Sequence, residues 1–244
     1  MKPNTFACLM YHFVQEEGGQ YSVTRSQLNE QLSYLHQQGF VVEGFERLEQ
    51  RIKRRDPLPE RYALLTIDDG EASCGILADS LNRYGFDATF FVVRDFARAA
   101  NGHLNEKAIV DLRRAGFSVG THGTSHQGLA RIPLARARKE LKESREWLEE
   151  LLGEPVRYMS APHGYVNRKV MSSIFQAGYI LAGTSTEALN AFDHLDLPGQ
   201  ISRVAVRRDF TLETLKKIVS GYKPFYGYRR IRSAALAIPK RLFA

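Results

Sequence analysis

The sequence predicts a single-domain α/β protein built as a (β/α) barrel, distorted or incomplete, and three observations carry that reading. Short, continuous apolar runs alternate with helical patterns, as they do in a parallel sheet buried on both faces. The alternation recurs about eight times within 244 residues, the repeat number of a barrel. The unusual polar residues follow the carboxyl ends of the expected strands, the face where α/β barrels gather their active sites. A doubly wound open sheet is the alternative.

The elements follow from local signals. Apolar runs place strands near 6–12, 40–43, 62–67, 87–93, 117–121, 156–161, 179–183 and 201–206. Helices are expected over 24–38 and near 73–84, 105–115, 134–152, 167–177 and 211–220. The first shows why: Thr24 with Gln27 resembles a capping box, and Leu28, Leu32 and Leu35 share one face. Several of these helices end in a glycine followed by an aromatic, at Gly39-Phe40, Gly85-Phe86, Gly116-Phe117 and Gly178-Tyr179. Glycine just past a helix end is the usual left-handed stop.

The chemistry sits at the strand ends. The run Tyr62 to Ile67 ends in Asp68-Asp69-Gly70, and Phe117 to Val119 leads to His122-Gly123-Thr124-Ser125-His126. Adjacent carboxylates at the end of a buried strand are costly unless they bind a cation or move protons. One carboxylate and two imidazoles make a facial metal site with open positions, and the spare carboxylate is then a ready general base. Which Asp does which is left open by spacing alone. Tyr11-His12 ends the first strand and Pro162-His163-Gly164 the sixth, so four loops aim polar groups at one rim. Cys74 falls in the first turn of a helix, which can lower a thiol pKa, but a small buried packing residue is the better reading. His36, His103 and His194 have no motif around them and are expected at the surface.

At these residues the chain resembles the polysaccharide deacetylase family, the NodB-homology or carbohydrate esterase family 4 group. Thr66-Ile67-Asp68-Asp69-Gly70 matches the family's T-F-D-D-G motif, and His122 with His126 matches H-[S/T]-x-x-H in spacing, with Gly123 in place of the hydroxyl residue. The resemblance covers roughly residues 6–206. It implies a distorted barrel of the NodB-homology type, a divalent metal, most often zinc, and removal of an N-acetyl or O-acetyl group from a sugar. By resemblance Asp68 is the base, and Asp69, His122 and His126 hold the metal. Pro162, His163, Gly164 and Tyr165 are expected to contact substrate, with a backbone N–H among the last three facing the oxyanion.

Two family features are missing. The third motif, often R-x-P-[F/Y]-G, reads Ser160-Ala161-Pro162-His163-Gly164, so the arginine that steadies the base is absent; the late L-x-H motif has no match. Leu9-Met10-Tyr11-His12 instead resembles the branch with an N-terminal Tyr-His strand end, in which the early histidine serves as acid, and this implies His12 as the group that protonates the departing amine. Two other readings compete. One is a catalytically inactive glycan-binding relative, motivated by the missing Arg and His. The other is a non-haem iron oxygenase, which also uses two His and a carboxylate.

Charge divides the chain at Glu213, its last acidic residue. Eight of its 34 cations lie beyond that point, so residues 1–213 hold 26 cations against 27 anions. The net charge of +7 therefore belongs to the tail, and a nucleic-acid-binding face across the body is excluded. The expected division is a domain over 1–221 and a basic tail over 222–244. In residues 223–244, Phe225, Tyr226 and Tyr228 are interleaved with Arg229, Arg230, Arg232, Lys240 and Arg241, a mixture suited to an anionic membrane surface. Two cysteines in no cluster, and an N-terminus without a secretory pattern, point to the cytoplasm, peripheral to the inner face of the membrane. An acetylated sugar, glycan or lipid-linked sugar is the expected partner.

Overall fold

Strand parity decides what this fold does, because it sends alternate side chains into the barrel or out toward the helices. The computed structural model describes residues 4–228. Strand β1 (Thr5–Tyr11) is followed by the short pair β2 (Phe13–Val14) and β3 (Ser22–Val23), then α1 (Arg25–Gln37), β4 (Val41–Glu43), α2 (Phe45–Arg54) and β5 (Tyr62–Ile67). Next come α3 (Cys74–Tyr84), β6 (Thr89–Val92), α4 (Arg94–Ala99), α5 (Glu106–Arg114), β7 (Ser118–Thr121) and α6 (Leu134–Leu152). The chain continues through β8 (Tyr158–Ser160), α7 (Arg168–Gln176), β9 (Leu181–Thr184), β10 (Asn190–Ala191), β11 (Gly199–Ser202), β12 (Val204–Ala205) and α8 (Leu212–Val219).

The main sheet runs β1-β5-β6-β7-β8-β9-β11, all parallel, and the expected barrel forms. It is distorted at two places. β4 pairs with the first half of β5 (Val41↔Tyr62) and β6 with its last residues (Thr66↔Thr89), so two strands share one edge of β5. Closure is made by a single broken strand. The expected strand 201–206 is two pieces: β11 pairs with β9 (Ile201↔Gly183), and β12 pairs with β1 (Leu9↔Val204). The chain steps from one edge of the sheet to the other at Arg203.

Phe6 and Cys8 of β1, Tyr62 and Leu64 of β5, Phe91, Tyr158, Leu181 and Ile201 form the inner core, with Phe45 and Leu48 of α2 packed against them. Ala7, Leu9 and Tyr11, or Leu65 and Ile67, face the helices and belong to the larger outer core. Carried two or four residues on, the inward parity reaches His12, Asp68, His122 and Ser160, all at the carboxyl mouth. The pattern that fills the barrel therefore also aims the candidate site.

The six expected helices are present within a residue or two. Two further helices, α2 and α4, went unforeseen because each stops on a non-glycine left-handed residue, Arg55 (φ 56°) or Ala100 (φ 50°), instead of the Gly-aromatic signal. Beyond Gly221, residues 223–228 are helical. There the Tyr226 ring is buried against the outer core, and its hydroxyl donates to the Ile218 carbonyl at 3.0 Å. The basic residues of the tail from Arg229 onward, and the membrane contact expected of them, lie outside the described residues. Among the described residues no helix is long and apolar enough to cross a membrane.

Candidate metal centre and catalytic mouth

Asp69, His122 and His126 converge. One ligand atom from each lies within 4.8 Å of the others. Asp69 Oδ1 is 3.3 Å from His122 Nε2 and 3.1 Å from His126 Nε2. His122 donates from Nδ1 to the Ser160 carbonyl at 2.8 Å. A carbonyl only accepts, so this bond fixes the ring and turns Nε2 toward Asp69, the arrangement in which a histidine ligates through Nε2. Burial disfavours an imidazolium at His122, yet Asp68 and Asp69 outweigh it and raise its pKa. Asp69, though buried, is held well below the usual carboxylate range by hydrogen bonds from both imidazoles.

The loops reach this geometry through backbone that few side chains adopt. Asp69 (φ 73°), His126 (φ 60°) and His163 (φ 59°) are all left-handed. Asp and His tolerate that region better than most residues, but each instance still costs about 1–3 kcal/mol. Surrounding bonds hold them there. Leu104 N–H donates to the Gly70 carbonyl at 2.8 Å, bracing the Asp-Asp-Gly turn. The histidine loop is held by Glu140 of α6, whose Oε2 accepts from the N–H groups of Thr124 (2.8 Å) and Ser125 (2.9 Å) and whose Oε1 accepts the Ser125 hydroxyl (2.7 Å). Burial opposes ionisation of Glu140, but these bonds prevail and lower its pKa. Glu140→Gln should accordingly weaken metal affinity about 10–100-fold, the usual effect of losing an outer partner, read by metal titration of the purified variant. Unchanged affinity would mean the loop holds its shape without the carboxylate.

Asp68 is 2% exposed and does not face the two histidines in the way Asp69 does; His122 Nε2 is 3.9 Å from its Oδ2. Arg203, fully buried, grips it in a fork: Nη1 to Oδ1 at 2.7 Å and Nη2 to Oδ2 at 2.9 Å. The Ser160 hydroxyl donates to Oδ2 at 2.7 Å and accepts from Arg203 Nη2 at 2.7 Å. Burial alone would raise the Asp68 pKa; Arg203 and His122 overturn that and lower it. The arginine expected to be absent is thus supplied from the break between β11 and β12. Ser160 occupies the motif position where an Arg is usual and leaves room for the guanidinium. Gly183 leaves the rest, since a Cβ there would lie 2.7 Å from Arg203 Nε. Sequence reading missed Arg203 because it has no motif of its own. The one available signal was a lone cation inside an apolar strand, Ile201 to Val206.

His12 follows β1 into the mouth. Its ring lies 5.1 Å from that of Tyr21, and its Nδ1 is buried with no hydrogen-bond partner. Burial lowers its pKa, and the Asp68 and Asp69 carboxylates oppose the shift. Of the expected substrate residues, His163 lies tilted against His126 at 4.7 Å between ring centroids, and Tyr165 is 53% exposed at the rim. Pro162 is buried, and Gly164 (φ 70°) packs where any Cβ would meet Ser185. The Gly164 N–H is committed to the Ala161 carbonyl at 2.8 Å. Cys74 is a fully buried packing residue whose thiol is pushed up by burial, not lowered. Of the histidines expected at the surface, His103 is half-buried and stacks on Phe96 at 4.5 Å, and Phe96 in turn lies 5.6 Å from His126.

Residues 55–182 match the family model described as polysaccharide deacetylase, over half of the chain. The chain belongs to the polysaccharide deacetylase family. The peptidoglycan-N-acetylmuramic acid deacetylase PdaC of Bacillus subtilis is 26% identical over 117 residues, 47% of this chain and 24% of that protein. A chitin deacetylase from Pestalotiopsis is 27% identical over 140 residues, 57% of this chain and 46% of the other. The matches thus span less than half the length of either curated relative. Among solved structures, a Streptococcus pyogenes deacetylase, PplD, in complex with acetate, superposes with a TM-score of 0.80 at 18% identity, covering 89% of this chain and 99% of that one. That likeness establishes the fold: a NodB-type deacetylase barrel in one domain.

Proposed function

We propose that this polysaccharide deacetylase is a metal-dependent carbohydrate deacetylase, hydrolysing an N-acetyl (or O-acetyl) group on a sugar during bacterial cell-surface polysaccharide or glycolipid biosynthesis. The observation that carries the reading is the convergence of Asp69, His122 and His126 beside an Asp68 held ionised by Arg203. Two imidazoles and a carboxylate with an open side suit zinc in a hydrolytic site. A divalent cation there supplies charge that polarises an acyl oxygen and acidifies a water. The protein does the remainder. Asp68, with its low pKa, stands as a carboxylate at neutral pH and takes the proton of the attacking water. The peptide N–H groups of His163 and Tyr165 face the developing oxyanion. His12, on the neighbouring strand end, gives a proton to the leaving amine, the proton that Asp68 took from the water replaces it, and acetate departs.

Arg203 also weighs against the inactive-relative reading, since the base keeps the arginine whose loss motivated it. The decisive experiment is acetate release from acetylated sugars with zinc supplied and again after chelation. No release from neutral or charged glycans, lipid-linked sugars or sugar nucleotides in the zinc-loaded protein would refute the function. For the acid, His12→Ala should lower turnover about 10²–10⁴-fold at unchanged metal content. A kcat within a few-fold of the parent would remove His12 from the chemistry.

The tail supports a cytoplasmic enzyme working on a lipid-linked sugar, because each cation near an anionic surface contributes about 1 kcal/mol. Full-length protein should co-sediment with anionic liposomes at low salt, and a chain ending at Tyr228, which keeps the Tyr226 packing, should not. Equal binding by both would discard the membrane role.

A further inference from the structure

One side of the mouth is built from acid-free chain. Neither residues 112–139 nor residues 155–186 contain an Asp or Glu, although the chain up to Glu213 is close to neutral. The loop after His126 turns at Leu129–Arg131 and brings Arg131 over the Tyr165 ring, with the guanidinium carbon 5.6 Å from the ring centroid. A Cβ on Gly128 would lie 3.4 Å from Arg131 Cδ and 3.5 Å from His163 Cδ2, so both side chains border the same turn. His163 in turn lies tilted against His126, ring centroids 4.7 Å apart. From the metal ligands outward the order is His126, His163, then the Arg131–Tyr165 pair, all at the open rim. Arg94, Arg113, Arg145 and Arg207 each pair with a carboxylate at 3.2 Å or less. Arg131 is exposed and pairs with none among the described residues.

A guanidinium has five N–H donors and a contact with a ring face occupies few of them, so with no carboxylate bound among the described residues Arg131 keeps a fork of donors that matches a carboxylate or a phosphate. An exposed tyrosine beside it offers the broad apolar face and polar tip that ligand pockets use to orient a ring. We infer that Arg131 and Tyr165 form an anion-reading subsite, which makes the preferred substrate an acetylated glycan carrying a carboxylate or phosphate on the sugar at the metal or on its neighbour. This rests on the deacetylase reading for the position of the acetyl group, while the subsite itself stands on the cation that pairs with no carboxylate among the described residues and on its place over the Tyr165 ring at the rim.

The test compares short soluble N-acetylglucosamine oligomers in three forms: neutral, bearing an ether-linked carboxylate, and bearing a phosphate. Acetate release by the zinc-loaded protein gives kcat/KM, and calorimetry with the same oligomers gives binding without turnover. At low salt at least one anionic form should exceed the neutral one at least tenfold in kcat/KM and in affinity, and added salt should erode the difference. The arm that gains identifies the anion. Arg131→Gln should bring both ratios close to one, and Arg131→Lys should restore part of them. Equal handling of charged and neutral oligomers by the parent protein would overturn the inference, as would a preference that Arg131→Gln leaves intact. Failure of the deacetylase reading looks different: no oligomer would release acetate, while Arg131-dependent binding of the anionic forms would persist.

Discussion

Arg203→Met should sharply lower turnover at neutral pH and displace the remaining activity to higher pH. The base works only as a carboxylate, so activity falls on the acid side of its pKa. Burial pushes that pKa up, and Arg203 is the first of the groups that bring it down. Without the guanidinium, desolvation meets less opposition, the carboxyl's pKa rises, and the acid limb of the profile moves upward. Removing one partner of a buried ion pair also costs about 3–5 kcal/mol of stability. Because the folded pKa of Asp68 is depressed, its contribution is present above the unfolded carboxylate pKa and is lost as pH falls through the folded value. The stability gap between parent and variant should therefore be widest near neutrality and narrow on acidification. Arg203→Lys, which keeps the charge but not the fork, should recover part of the activity. Matched profiles of kcat/KM and denaturant unfolding against pH decide the point, and a variant with the parent's acid limb would show that Arg203 does not tune the base.

This residue also marks where sequence reading stopped. The strand-end placement of Asp68-Asp69 and His122 was legible because the mostly apolar stretches Tyr62 to Ile67 and Phe117 to Val119 lead into Asp-Asp and toward His. A carboxylate pair at a buried strand end has few other physical explanations. Arg203 could not be read in the same way. Its partner lies 135 residues away in sequence, and only closure of the barrel brings the two together. The split of the last strand into β11 and β12 was hidden for the same reason, since pairing with opposite edges of a sheet leaves no periodic signature. Glu140 is a parallel case: within α6 it reads as one more acidic residue in a charged helix, and its grip on Thr124 and Ser125 follows from how α6 crosses the histidine loop. The helices α2 and α4 were missed for a local reason, because Arg55 and Ala100 end them in a conformation usually left to glycine.

The two adjacent aspartates should respond in opposite ways to the same isosteric change. Asp69→Asn removes the charge nearest both histidine nitrogens, so metal affinity should collapse and activity with it. Asp68→Asn keeps the shape of the site and both imidazoles but removes the proton acceptor, so bound metal should persist while turnover falls about 10²–10⁴-fold. The distances motivate the split: Asp69 Oδ1 lies 3.1–3.3 Å from the two Nε2 atoms, whereas Asp68 spends both oxygens on Arg203 and Ser160. The Asp68 variant has one complication with a defined sign. Its amide cannot neutralise Arg203, leaving a buried cation uncompensated, so the variant should also lose stability. Metal content must then be measured on the folded fraction, well below its Tm. His122→Ala supplies the reference for a broken centre, since it deletes a ligand whose orientation is set by the Ser160 carbonyl. Equal metal loss in the Asp68 and Asp69 variants would sink the division of labour. So would a His122→Ala protein that still binds metal stoichiometrically, because the centre would then have to be built from other side chains.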